Sequence, residues 1–340
     1  MTNMMKAMVL HRPNSIESRP LSLEEVAIPR IGKDEILLKV LTCGVCHTDL
    51  HTVEGDLKLP KLPVIPGHQI VGTVIEVGED VKTRKIGQRV GVTWLHSSCG
   101  KCEYCRNHLE NLCDEIEFTG LHSDGGYAEY TVAKADYAFA IPESFADVEA
   151  APLLCAGIIG YRSLKLSQIR PGQSLGLYGF GASAHIAIQV AKYWDCEVYV
   201  FTRSEKHKEH ALQLGAKWVG QAQDDPPKKL DSAIIFAPAG WIVPYALNAL
   251  KKGGTLAINA IHMTPIPQMN YETIYYEKTI RSVANLTRQD AEEFLNIAAE
   301  VPVRTDFEVF PLDAANDALL KLKRSLINGA AVLKISEEAS

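Results

Sequence analysis

SLGLYGFGASAHIAIQVAKYW, residues 174–194, decides how the rest of the chain is read. An uncharged apolar run enters a glycine-rich turn, and the turn opens a segment with Ile186, Val190 and Tyr193 at helical spacing. Gly179, Gly181 and Ala184 fit the pattern G-x-G-x-x-G/A, whose small residues let backbone N–H groups approach a pyrophosphate at a helix N-terminus. Alone the pattern is weak, because any tight strand-to-helix turn favours glycine. Its setting strengthens it. EVYVFT reads as a second strand, SEKHKEHALQLGA as a helix closed by Gly215, and SAIIFAPAG, VPYALNALKKGG and TLAINAI continue the alternation. Strands alternating with such helices predict a parallel sheet of βαβ units carrying a dinucleotide-binding turn. Between KWVGQ and SAIIFA the alternation breaks. The few residues there include two adjacent prolines, too short a stretch for a crossover helix, and predict a loop.

The second strand ends at Thr202, Arg203 and Ser204, with no acid at its tip to bind ribose hydroxyls. A 2'-phosphate suits Arg203 and the two hydroxyls, which favours NADP(H) over NAD(H). Thr202 and Glu205 also have the spacing of a capping box, a purely structural alternative.

Working outward, the 340 residues suit two domains of about 150 residues each better than one core. The first 155 residues are β-rich in pattern: EILLKVLT, QIVGTVIEVG and QRVGVTWL are short apolar runs broken by Gly, Pro and charge. From about Val301 the chain reads strand, helix, strand, either extending the parallel sheet or returning to the first domain. A net charge of -6 argues against nucleic acid as partner, and no polybasic or long apolar run suggests a membrane or a signal peptide. A cytoplasmic protein is expected, where clustered thiols are metal ligands more often than disulfides.

Four of the eight cysteines fall in CGKCEYCRNHLENLC: Cys99, Cys102, Cys105 and Cys113. C-x2-C pairs in a tight loop can supply the four ligands of tetrahedral zinc. An iron–sulfur cluster is the main rival, but the last gap is seven residues and Asp114, not proline, follows. Four thiolates fill the coordination sphere, so this loop, 99–113, is read as structural.

Cys46, His68 and Cys155 lie in CGVCHTDLH, PGHQIVG and PLLCAG, too far apart for spacing alone to join them. A histidine beside an apolar strand is more often a satisfied core residue than a ligand. These three motifs, the four-cysteine loop and the glycine turn nevertheless occur in the order found in zinc-dependent medium-chain alcohol dehydrogenases, and the chain resembles that family over essentially its whole length. The resemblance implies an α/β protein: a β-rich, GroES-like catalytic domain (1–155), a doubly wound Rossmann coenzyme domain (156–297) and a return to the catalytic domain (298–340). It implies two zinc ions per chain. The catalytic one would be held by Cys46, His68 and Cys155, with Asp49 orienting His68. Thr48 would hydrogen-bond the alcohol oxygen and His51 would end a proton relay to solvent. His47 and Arg288 would contact the cofactor pyrophosphate, and Trp94 would narrow the substrate channel.

The activity implied is reversible oxidation of small primary alcohols, with secondary or aromatic ones as extensions, to aldehydes or ketones by hydride transfer to NAD(P)+. Two alternatives stand beside it. One is an NADPH-dependent aldehyde reductase; the other is a non-catalytic nucleotide-binding protein, which would be expected to lose the ligands and relay residues retained here. A homodimer or homotetramer is expected, with KTIRSVA available to pair with its copy. One departure bears on chemistry: Gln69 stands where the family has Glu beside the zinc-binding histidine, which puts ligand exchange in question.

Overall fold

The computed structural model describes residues 4–327 and 329–336. The chain divides into two compact units. The first comprises Met1–Cys155, Thr287–Leu295 and Arg304–Ser340, and the second Ala156–Leu286 and Asn296–Val303. The helix Arg288–Glu300 therefore contributes its first part to one unit and its last part to the other, so the expected boundary at 297 falls inside a helix.

The second unit is a six-stranded parallel sheet in the order Trp218–Gly220, Glu197–Phe201, Ser174–Tyr178, Leu230–Ile235, Leu250–Ile258, Thr279–Ser282. The first strand of this unit, Ser174–Tyr178, is completely buried, which is why its sequence reads as a continuous apolar run. Chain order reverses on its two sides, and at such a switch point the ends of the strands leave a crevice for ligands. The glycine turn lies there, followed by the helix Ala182–Tyr193.

No helix joins Trp218–Gly220 to Leu230–Ile235. The missing crossover is sterically possible. Three strand spacings amount to about 14 Å sideways, and the intervening residues 221–229 can extend to about 30 Å. Aromatic volume helps cover the sheet face instead. Tyr178 stacks on Phe201 at 4.0 Å, Trp218 meets Phe201 edge-on at 5.1 Å, and Ala222 of the loop joins the same core.

The first unit holds a seven-stranded sheet centred on Glu35–Val45, whose partners are Gln69–Val77, Tyr130–Lys134 and Ala330–Lys334. The last of these pairs antiparallel, Leu333 opposite Cys43, so the end of the chain returns to the first unit rather than extending the parallel sheet. A core of Leu38, Val40, Ile70, Val90, Tyr127 and Leu319 fills one face. Among the described residues no helix is long and apolar enough to cross a membrane.

Candidate metal and cofactor sites

Cys46 ends the strand Glu35–Val45 and caps the helix His47–Glu54 in an extended conformation. Its N–H donates to Asp49 Oδ2 at 2.9 Å, so one helical turn fixes the cysteine and the carboxylate together. The other oxygen, Asp49 Oδ1, lies 2.8 Å from His68 Nδ1, with both side chains essentially inaccessible. The Tyr127 hydroxyl donates to Asp49 Oδ2 at 3.3 Å. Gly67 makes this approach possible: it has φ +98°, and a Cβ there would sit 2.4 Å from the Tyr127 ring.

Cys155 follows the 3-10 turn Ala151–Leu154 and precedes the helix Ala156–Leu166, a joint that sets its Sγ 3.9 Å from Cys46 Sγ. Two thiolates 2.3 Å from one tetrahedral ion would be about 3.8 Å apart. The ligand atoms of Cys46, His68 and Cys155 all lie within 4.8 Å of one another. His68 Nε2 is buried with no hydrogen-bond partner, which a native interior rarely tolerates without a ligand. These residues fit a zinc ion. The electrostatics agree. Burial opposes charge on His68, yet the Asp49 carboxylate and the neighbouring Cys46 outweigh it and raise its pKa to about 10. Cys46 is drawn well down by the hydrogen bond from the Cys155 thiol, and then by His68, while Cys155 is pushed up in turn. A pocket that favours a buried proton on imidazole also favours a cation in its place.

Thr48 is buried, with Oγ1 3.8 Å from Cys46 Sγ. His51 lies one turn further along the helix, half-buried, with Nδ1 2.7 Å from Asp56 Oδ2. His47 is exposed at the helix start and does not join this cluster. The Trp94 ring meets His68 edge-on at 5.0 Å and stacks on Phe118 at 4.8 Å. Gln69 is buried against Gly44, where a Cβ would lie 2.9 Å from its side-chain amide carbon. Sequence reasoning missed Tyr127, Asp56 and Phe118. Asp56, directly after the glycine that ends the helix, could have been found by tracing His51 forward; the other two carry no such local signal.

The second cluster is made within one loop. Cys99, Cys102, Cys105 and Cys113 bring their sulfurs within 4.8 Å, and Cys99 and Cys105 stand 3.9 Å apart. Backbone N–H groups point at the thiols: Cys102 N–H donates to Cys99 Sγ at 3.3 Å and Cys99 N–H to Cys113 Sγ at 3.4 Å. Backbone N–H donation at Lys101 and Cys102 pulls the Cys99 pKa down to about 7, whereas burial pushes Cys113 up to about 12. Four convergent sulfurs fit a zinc ion with no position left over.

In the second unit Gly179 has φ +91°, and a Cβ there would lie 2.9 Å from Ala237 N, so the protein's own backbone requires glycine. Gly181 is different. Its φ is -106°, and a Cβ would meet nothing within 4 Å, so neither conformation nor packing calls for glycine. Close approach of a cofactor supplies the missing reason. Ala184 is buried in the helix. Thr202 is buried, Arg203 exposed, and Ser204 caps the helix Glu205–Gln213 by accepting the His207 N–H at 3.3 Å. The capping box between Thr202 and Glu205 is thereby overturned: Glu205 is the first helical residue, too early to reach back to Thr202. Arg288 belongs to the first unit, at the start of Arg288–Glu300, with its backbone N–H on Glu110 Oε1 at 2.8 Å.

The chain matches two family descriptions, an alcohol dehydrogenase GroES-like domain over residues 32–143 and a zinc-binding dehydrogenase over residues 184–300. It is 47% identical to a probable alcohol dehydrogenase of Mycobacterium tuberculosis, covering 98% of each chain. Among solved structures it superposes on a cinnamyl alcohol dehydrogenase of Sorghum bicolor with a TM-score of 0.89 and 29% identity, over 99% of this chain and 100% of that one. It also superposes on the CAD of Helicobacter pylori, solved with NADP(H), with a TM-score of 0.86 and 25% identity, over 98% and 99%.

Proposed function

The chain belongs to the zinc-dependent alcohol dehydrogenases of the medium-chain superfamily, oxidoreductases acting on CH–OH donors, and from that premise we propose that it interconverts small primary alcohols and their aldehydes with NADP(H) as preferred cofactor. One observation carries the reading: the partnerless buried Nε2 of His68 beside two sulfurs, a three-ligand donor set of the kind already described for alcohol dehydrogenases.

Cys46, His68 and Cys155 would hold the catalytic ion, and Asp49 would keep His68 Nδ1 protonated so that Nε2 offers its lone pair. Zinc bound there supplies Lewis-acid stabilisation of a deprotonated alcohol, as it lowers the pKa of water from 15.7 to about 7. Thr48 Oγ1 would accept the hydroxyl proton and pass it towards His51. Asp56 would hold His51 Nδ1–H, leaving Nε2 as the base that exchanges with solvent. Trp94 and Phe118 would form a flat wall that excludes water and admits a slender or planar substrate. The glycine turn would hold a nicotinamide dinucleotide, whose chemistry would supply the hydride acceptor. His47 and Arg288 would bind its pyrophosphate.

Cofactor choice rests on Thr202, Arg203 and Ser204. The Ser204 oxygen is engaged as the cap but its proton remains free to donate to a 2'-phosphate. The deciding measurement is kcat/KM for NADP+ and NAD+ in both directions. We expect a preference for NADP+ that Arg203→Ala reduces at least about tenfold; equal or better use of NAD+ would remove the preference. Much faster aldehyde reduction than alcohol oxidation at matched cofactor would favour the reductase alternative. We further propose a homodimer or homotetramer built on the edge strand Thr279–Ser282, which is exposed along its length near exposed Tyr271, Tyr275 and Tyr276. The described cysteines are all free, which suits a cytoplasmic setting.

A further inference from the structure

Glu110 lies inside the four-cysteine loop, between Cys105 and Cys113, and is only 3% exposed. A carboxylate so deeply buried needs partners, and among the described residues Arg288 supplies them. Its Oε1 accepts the Arg288 backbone N–H at 2.8 Å and lies 3.4 Å from Arg288 Nε. The guanidinium also sits over the Tyr137 ring, 5.2 Å from its centroid. Tyr137 is tied in turn to the same loop: its hydroxyl is 2.7 Å from Ser98 Oγ, which lies 3.4 Å from Cys105 Sγ. Two routes thus run from the cysteine loop to one arginine.

Capping explains only part of the contact: Glu110 takes the N–H of the first helical residue, a donor that no intrahelical carbonyl reaches, but the Nε contact and the Tyr137 face lie outside any cap. The helix that begins at Arg288 is capped by its own residues: Thr287 N–H donates to Asp290 Oδ2 at 3.0 Å, and Asp290 N–H donates to Thr287 Oγ1 at 3.1 Å. What Glu110 and Tyr137 add is a fixed backbone, a fixed Nε and a flat face under a side chain that otherwise has many rotamers. Among the described residues neither terminal nitrogen of the fork meets an acceptor, so both can serve an anion.

We infer that Glu110 and Tyr137 are positioning residues for Arg288, through which the four-cysteine loop sets how tightly a dinucleotide pyrophosphate is held. This rests on the reading of Arg288 as a pyrophosphate contact. Arg288 pre-set before the ligand arrives loses less freedom on binding. Opposing this, the Glu110 charge partly cancels that of the guanidinium, so the sign of the effect is a real test.

The experiment is calorimetric titration of NADP+ and NAD+ into the zinc-loaded protein without substrate, with zinc content measured for each variant. Arg288→Ala is expected to raise Kd at least about tenfold. Glu110→Ala is expected to raise it about three- to tenfold at unchanged zinc content and with kcat at saturating cofactor retained. Glu110→Gln, which still accepts the Arg288 N–H, is expected to stay within about twofold of the parent. Adding Glu110→Ala to Arg288→Ala is expected to cost almost nothing more. Should Glu110→Ala fail to fold, Tyr137→Leu decides, with an expected rise of about two- to fivefold. Unchanged or tighter binding in Glu110→Ala, or full additivity with Arg288→Ala, overturns the positioning role. Unchanged binding in Arg288→Ala overturns the pyrophosphate contact itself, and the inference with it.

Discussion

The two cysteine clusters use the same chemistry for opposite ends. Cys99, Cys102, Cys105 and Cys113 come from one loop, and their sulfurs are held by neighbouring backbone N–H groups. Cys46 and Cys155 are 109 residues apart and meet only because a strand end and a helix start converge on His68. The loop offers four like ligands, enough to saturate a zinc ion. The dispersed cluster offers three, one of them an imidazole held by a buried carboxylate, and on the proposed reading it is the one that would do chemistry. Local closure brings four like donors together within one loop, whereas convergence of distant elements brings unlike donors together with a carboxylate behind one of them.

The sharpest way to break this contrast is to remove one ligand from each cluster. Cys46→Ser should lower kcat by about 10^4-fold, about 5.4 kcal/mol at 1.36 kcal/mol per decade, and metal content should fall from two ions per chain to one. Retained turnover with one ion would show that the dispersed site is not where catalysis occurs. Asp49→Asn, which leaves all three ligands in place, should cost about 10- to 100-fold in zinc affinity or turnover; equilibrium dialysis against a chelator separates the two. Tyr127→Phe removes one hydrogen bond to the same carboxylate and should cost about 1 kcal/mol, roughly fivefold in zinc affinity. An effect as large as that of Asp49→Asn would mean that the hydroxyl, not the carboxylate, orders His68.

Cys102→Ser should change kcat least of all at low temperature and saturating cofactor, while losing the other ion and destabilising the fold by about 4 kcal/mol or more. Thermal denaturation with metal analysis checks it, and a kcat loss matching that of Cys46→Ser would erase the distinction between the clusters. A last comparison needs no variant. In chelator-treated protein the Cys99 thiolate population should rise as pH increases through about 7, because backbone N–H donation lowers its pKa, while Cys113, pushed up to about 12, stays protonated across that range. Alkylation mapped by mass spectrometry should therefore mark Cys99 first; earlier labelling of Cys113 would contradict the loop geometry.

Legibility in the sequence follows the same division. The parallel sheet was readable because each βαβ unit announces itself through local periodicity and a closing glycine, as at Gly215, which has φ +91°. The loop at residues 221–229 was readable because chain length and proline limit what can fit there. Gly179 and Gly181 form one pattern in the sequence, but only the structure shows that packing requires the first and that nothing among the described residues requires the second. The Thr202–Glu205 capping box failed because the choice of capping hydroxyl depends on where the strand releases the chain, and that point proved to be Ser204.

Residue order alone determined the four-thiol loop, the glycine turn and the alternation that yields a parallel sheet, since each depends on interactions within a few tens of residues. Only the tertiary structure decided that the C-terminal strand closes against Glu35–Val45, that Tyr127 holds Asp49, and that Glu110 grips Arg288. Those contacts join positions whose separation along the chain carries no periodic signal, and burial alone brings them within bonding distance.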